Sequence, residues 1–168
     1  KTDQYQGHDY YNVDELLNED HLLAREAVRA WVKQEVSPII EDYSNRAACP
    51  THLFKGLAEI GAFGPSLPVE YGGGGMDEIA YGVIMQELER GDSGVRSMAS
   101  VQGSLVMYPI FKYASDPLRK KYLPKLGAAE LIGCFVLTEP DHGSNSHGMM
   151  SRITDDGDAY ILNGAKMW

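Results

Sequence analysis

The 168-residue chain has only two cysteines, Cys49 and Cys134, far apart and outside any C-x-x-C spacing. That scarcity argues against a disulfide scaffold or a zinc ribbon and fits a reducing compartment. No apolar run approaches the roughly 20 residues needed to cross a bilayer. Basic residues are also few. There are 15 Lys and Arg against 24 Asp and Glu, for a formal net charge of −9 and a pI near 4.9. A chain this acidic is poorly suited to neutralising phosphates or docking on anionic lipid, so neither nucleic acid nor a membrane is an expected partner. The opening stretch, KTDQYQGHDYYNVDELLNED, has neither the apolar core of a secretory signal nor the Arg-rich pattern of a transit peptide.

What is present suits a packed domain. Apolar residues make up 43% and charged residues 23%, enough for a real core and against gross disorder. Residues 1–18 read as a tyrosine-rich, extended lead-in. From Glu19, the steps Leu23, Ala27, Ala30 and Trp31 predict an amphipathic helix, with Arg25, Glu26, Arg29 and Lys33 between them. Pro38 should interrupt it near Ser37 before a restart at Ile39. A second helix covers CPTHLFKGLAEIGAFG, with Thr51 as cap and Gly61 and Gly64 as stops. After the loop GPSLPVEYGGGG, a third helix runs from about Asp77 to Arg90. A fourth, Ser93 to Tyr113, is apolar on most sides and reads as central and buried. The fifth, in SDPLRKKYLPKL, has Asp116 as cap and Pro117 at its first position.

After Glu130 the pattern changes. LIGCFVLT reads as a buried strand, MMSRIT, AYILN and AKMW as further strands, with DDGD and NG as turns. The fold class is therefore α+β: an N-terminal all-α bundle over residues 1–130, then the start of an antiparallel β-domain over 131–168. The strand pattern stops at Trp168, which would leave an open sheet edge, so the chain is expected to be a fragment.

Four features are candidates for chemistry on the sequence alone. The glycines of YGGGGMDE precede a helix, but no P-loop Lys-Ser/Thr follows, and Asp77 and Glu78 would repel an anion there. His142 and His147 share one loop without a third ligand, so no metal site is expected. Arg96 stands among Ser, Gly, Ala and Met, and a buried arginine needs a partner. Asp92 at i, i+4 is the simplest one, and Glu89 with Asp92 would otherwise suggest acid/base work. The turn LTEPDHGSN offers hydroxyls and backbone N–H groups that could grip the carbonyls of a flat heteroaromatic ring.

GCFVLTEPDHGSN followed by YILNGAKMW resembles the acyl-CoA dehydrogenase flavoproteins, whose middle β-domain opens with Leu-Thr-Glu-Pro-x-x-Gly-Ser and later carries Asn-Gly-x-Lys-x-Trp. YGGGG, ELERGDSG and KKYLPKL match the same family upstream. Within it, ELERGDSGVRSMASVQGSLVM is similar to the glutaryl-CoA dehydrogenases. The resemblance implies FAD as cofactor, with Phe135, Leu137, Thr138, Gly143, Ser144 and Trp168 as its contacts. It also implies Arg96 facing the distal carboxylate of a glutaryl group, with Ser97, Ser100 and Ser144 nearby and Glu89 as a modulator. Asn145 departs from the usual Asp after Gly-Ser, yet its carbonyl oxygen can still accept a hydrogen bond.

The implied reaction is oxidative decarboxylation of glutaryl-CoA to crotonyl-CoA and CO2, with electrons passed to an electron-transfer flavoprotein. The implied assembly is a homotetramer in bacterial cytoplasm or, alternatively, a mitochondrial matrix. The family's catalytic glutamate, much of its FAD site and its tetramer contacts lie in a C-terminal helical domain that this sequence lacks. Residues 1–168 alone are therefore expected to be inactive and to associate or dissolve poorly. Two alternatives stay open: an enzyme for another acyl chain, including a non-decarboxylating diacid enzyme, and a non-enzymatic helical interaction module.

Overall fold

The structure is a computed structural model and describes residues 10–168. Part of the expected extended lead-in, residues 1–9, lies outside the described residues. The remainder is not simply extended. Asn12 adopts a left-handed conformation (φ 52°) and turns the chain into a 3₁₀ turn at Val13–Leu16, which the Asp14–Arg25 ion pair at 2.5 Å fastens down. The described residues divide into two compact units at the Cys134/Phe135 junction.

The first unit is helical. Helix α1, Glu19–Trp31, opens with a reciprocal cap: Asn18 Oδ1 accepts from the His21 backbone N–H, and His21 Nδ1 accepts from that of Asn18. Its last turns widen into a π-helical segment, Val32–Val36, before α2, Ile40–Asn45. Pro38 explains the break, since it has no N–H and its ring blocks the Gln34 carbonyl. The Ser37 N–H and hydroxyl both donate to the Val32 carbonyl instead. Helix α3, Leu53–Glu59, does not use Thr51 as its cap. His52 holds that position without a side-chain bond, and Thr51 lies in the preceding turn. The helix ends where Gly61 takes φ 71°, with Gly61 N–H donating to Ala58 and Ala62 N–H to Leu57.

Helix α4, Glu78–Gly91, is capped by Asp77, whose Oδ1 accepts from Ala80 N–H at 2.9 Å. One extended residue, Asp92, separates it from α5, Ser93–Ser100. The long fourth helix of the sequence reading continues through π-helical turns, Val101–Met107, into α6, Tyr108–Tyr113. Pro109 cannot donate to the Leu105 carbonyl, which accounts for the loosened winding there. This helix is not buried all round: Val95, Ala99 and Met107 face the core, whereas Leu105 and Tyr113 are exposed. Helix α7, Asp116–Gly127, places Ser115, not Asp116, at its cap. The Asp116 carboxylate instead accepts from Lys120 at 2.8 Å. No described helix is long and apolar enough to cross a membrane.

The core of this unit joins Val28, Val32 and Val36 of the first helical stretch to Leu57, Phe63, Leu88, Met107 and Leu123. Close approach at the π-helical turns requires glycine. A Cβ on Gly103 would stand 2.1 Å from the Phe63 carbonyl oxygen. One charge is sealed within the packing. Glu87 is fully buried and takes a two-pronged hydrogen bond from Arg29, both contacts at 3.0 Å, with Arg90 at 3.3 Å.

The second unit departs further from expectation. The hairpin is present: β1, Arg152–Asp155, pairs antiparallel with β2, Tyr160–Asn163, in the register Arg152↔Asn163 to Asp155↔Tyr160. Gly157 at φ 84° makes its turn, and Gly157 N–H donates to Asp155 Oδ1 at 2.9 Å. LIGCFVLT, however, is not a buried strand. It runs extended with no partner ladder among the described residues, and Phe135 and Val136 are 50% and 57% exposed. Apolar β-branched sequence favours a strand but does not supply the neighbour that a strand needs. The same holds for AKMW, whose one backbone bond among the described residues runs from Met167 N–H to the Thr138 carbonyl at 2.8 Å.

Gly103→Ala is expected to lower folding stability by about 1–3 kcal/mol, the usual cost of overpacking. Urea denaturation against wild type measures it. An unchanged midpoint would mean that the Phe63 loop can yield.

Candidate active site

Asp92 is extended (φ −169°), so the chain turns a corner between α4 and α5. Its Oδ1 accepts from Val95 N–H at 2.8 Å, which occupies the carboxylate as a cap. The expected Asp92–Arg96 ion pair therefore does not form. Arg96 is held by Glu89 from the preceding helix, with Nε donating to Oε2 at 2.7 Å, and its Nη1 donates to Ser100 Oγ at 3.1 Å. Ser93 Oγ donates to the other Glu89 oxygen at 2.5 Å. Arg96, and then Ser93, hold the Glu89 carboxyl below the usual carboxylate range. The Arg96 side chain is 34% exposed, so it is neither sealed in the core nor orphaned. Its Nη2 has no acceptor among the described residues, which leaves two N–H donors for an incoming anion.

Ser100 and Ser104 share a face of this helix, and Ser104 Oγ donates to the Ser100 carbonyl at 2.5 Å. Ser104, Gly103, Phe63, Leu67, Tyr81 and Tyr108 help to line a mostly apolar cavity of about 360 Å³. Ser97 does not bond to Arg96 through its side chain; its carbonyl accepts from Ser100 Oγ at 3.3 Å.

In the second unit, Phe135, Leu137 and Thr138 lie on the extended segment. A tight turn follows, in which Glu139 and His142 exchange backbone hydrogen bonds at 3.2 Å, and then come Gly143 and Ser144. The Met167–Thr138 bond brings Trp168 alongside this segment, and Trp168 is fully exposed. None of the N–H groups of residues 134–138 has an acceptor among the described residues. His142 and His147 gather no third ligand: among the described residues, no three His, Cys, Asp or Glu side chains could hold a metal.

Sequence reasoning missed Glu139 and Lys166. Glu139 is 4% exposed. It accepts from Met150 N–H at 2.6 Å, Ser151 N–H at 2.9 Å and Lys166 Nζ at 3.0 Å. Led by the Met150 N–H, these donors lower the carboxyl from 4.5 to about 2. Both residues stood inside recognisable motifs, but a Glu-Pro turn reads as solvent-facing until its partners are known. Gln102 was likewise passed over. It is buried and donates to the Leu126 and Leu131 carbonyls while accepting from Gly133 N–H.

The N-terminal domain model of the acyl-CoA dehydrogenases matches residues 18–130, and the chain belongs to the acyl-CoA dehydrogenase family. It is 36% identical over 159 residues to a glutaryl-CoA dehydrogenase of Desulfococcus multivorans, covering 93% of this chain and 41% of that one. A crystal structure of a glutaryl-CoA dehydrogenase from Mycobacterium smegmatis in complex with FADH2 superposes with a TM-score of 0.90 at 43% identity, over 94% of this chain and 41% of that one. The structure of a glutaryl-coenzyme A dehydrogenase in complex with glutaryl-CoA gives 0.87 at 36% identity, over 90% and 39%. The chain thus spans about two fifths of the length of these relatives, and it shows the corresponding part of their fold.

Glu139 yields a signed acid dependence. Its folded-state carboxyl titrates below the unfolded one, so its stabilisation is complete above pH 4.5 and is lost as pH falls toward about 2. Glu139→Gln is expected to flatten that acid limb, read as the loss of tertiary signal with falling pH. An unaltered limb would assign acid unfolding to other carboxylates.

Proposed function

We propose that this chain carries the acyl-recognition face and part of the flavin site of an FAD-dependent acyl-CoA dehydrogenase that acts on glutaryl-CoA, releasing CO2 and crotonyl-CoA. The observation that carries this reading is the posture of Arg96. Glu89 and Ser100 fix the guanidinium through Nε and Nη1, while Nη2 stays available on a partly exposed face. A pre-oriented guanidinium suits the distal carboxylate of a diacid thioester, and the small side chains of Ser97 and Ser100 leave room for its tail.

The residues present fit a flavin. Its ring edge carries carbonyl acceptors. The 134–144 segment offers unengaged N–H groups together with the hydroxyls of Thr138 and Ser144, beside the apolar Phe135 and Leu137. Thr138 and Ser144 would hold the polar edge, and Trp168 would cover a face. FAD, when bound, supplies the acceptor for the hydride leaving the β-carbon. Arg96 would fix the acyl chain by its far end, so that the α- and β-carbons are held in one place along it. The base for the α-proton is assigned to the part of the relatives that this chain does not span, as are the tetramer contacts. An electron-transfer flavoprotein is the proposed acceptor of the electrons.

A second reading rests on the same pair. Because Glu89 already neutralises Arg96, a monocarboxylic acyl chain would leave no orphaned charge, contrary to the selectivity expected of a buried, unpartnered arginine. An acyl-CoA dehydrogenase for a different acyl group, or for a diacid without decarboxylation, is compatible with that. The test uses the full-length flavoprotein, mixed anaerobically with glutaryl-CoA or butyryl-CoA while flavin absorbance and trapped CO2 are followed. Bleaching with CO2 from glutaryl-CoA supports the proposal, and bleaching without CO2 removes the decarboxylation. Arg96→Ala is expected to lower kcat/KM for glutaryl-CoA by about 10- to 150-fold, the value of a charge-assisted contact, and to change that for butyryl-CoA far less. Equal losses on both substrates would sink the assignment of Arg96.

A further inference from the structure

The Asn-Gly-x-Lys-x-Trp stretch contributes a lysine to which neither the sequence nor the proposed reaction gives a task. Lys166 Nζ donates to three acceptors: the Leu137 carbonyl at 2.8 Å, Glu139 Oε1 at 3.0 Å and Met149 Sδ at 3.4 Å. An ammonium has three N–H donors, so all of them are engaged. The side chain is 24% exposed and its carboxylate partner 4%.

The consequence follows from peptide geometry. The chain has no cis bonds, so the C=O of Leu137 and the N–H of Thr138, which share one planar peptide, point in opposite directions. Lys166 holds the C=O, and the N–H is thereby aimed away from the lysine. That N–H has no acceptor among the described residues. The next peptide is engaged at both ends: Thr138 C=O accepts from Met167 N–H at 2.8 Å, and Glu139 N–H donates to His142 at 3.2 Å. Thr138 N–H is therefore a directed, unengaged donor between two anchored groups. Glu139 in turn keeps Lys166 in place, its own carboxylate being held by the Met150 and Ser151 N–H groups.

We propose that Lys166 is a positioning residue of the flavin site: it fixes the Leu137–Thr138 peptide so that Thr138 N–H is presented to an acceptor on the flavin ring. This rests on the flavoprotein reading above. In the full-length protein, Lys166→Met is expected to weaken FAD binding by about 10- to 100-fold and to shift the visible flavin circular dichroism, with Lys166→Arg recovering most of the affinity. A lysine of merely structural value would lower the melting temperature and leave both flavin readouts of the folded protein unchanged, and that result overturns the proposal. Hydrogen exchange on the wild type tests the same point without a variant. The amide of Thr138 should gain protection when FAD is added to the apoprotein, and no gain would overturn the inference even if Lys166→Met fails to fold. A wild-type protein that takes up no FAD would sink the flavoprotein reading and this inference together. One that binds FAD without responding to the variant or protecting the amide sinks this inference alone.

Discussion

The candidate substrate site depends on a single extended residue. Asp92 ends one helix and begins the next, and its carboxylate caps the second. Without that corner, α4 and α5 would run on as one helix. Glu89 and Arg96, seven residues apart, would then lie two turns away from each other along it. With the corner, the two side chains meet at 2.7 Å. The cap thus does two things with one carboxylate: it satisfies an N–H that the helix start leaves unbonded, and it sets the angle that gives the arginine its partner. A carboxylate committed to capping is a poor ion-pair partner for Arg96, although the i, i+4 spacing is right.

The same economy appears in the rest of the first unit. Arg29 reaches from α1 into α4 to neutralise Glu87, which is buried beside a core of aliphatic and aromatic side chains. A buried pair of this kind adds little net stability over apolar packing, but it strongly resists the loss of either partner. It also fixes the register of the two helices. His21 extends this logic: it caps its own helix and bonds through Nε2 to Asp77, the cap of α4, at 2.9 Å. Two helix starts are thereby joined through one imidazole.

Much of the fold was legible because helices announce themselves locally. The proline at 38 and the aspartate at 77 each act within a few residues and lie where the reading placed them. The steps from Leu23 to Trp31 mark a helix correctly but not its inner face: Leu23, Ala27 and Ala30 are exposed, and Val28 and Val32 are buried instead. The errors fall where a distant or competing partner decides. LIGCFVLT has the composition of a strand, but it pairs with no strand among the described residues. Thr51 and Asp116 have the right side chains for caps and are displaced by one position, which local composition cannot resolve. At the candidate site, the residues of the Arg96 stretch and the LTEP turn were visible as motifs. Their supports, Glu139 and Lys166, were not, because a buried carboxylate 27 positions from its lysine has no local signature.

The π-helical turns at Val101–Met107 bear on how the helix can tolerate change. A wider turn takes in an additional residue without leaving the helix, so Gln102 and Gly103, neighbours in sequence, both point inward. Loss of one residue there would keep the chain helical and its composition nearly intact. The turns would tighten to ordinary α-helical winding and the flanking segments would keep their faces, but one inward position would remain where Gln102 and Gly103 now supply two. Either the amide that ties Leu126, Leu131 and Gly133 together or the glycine that lets Phe63 approach would be given up. The widened turn therefore lets one stretch of helix make a polar tie and a close backbone contact side by side.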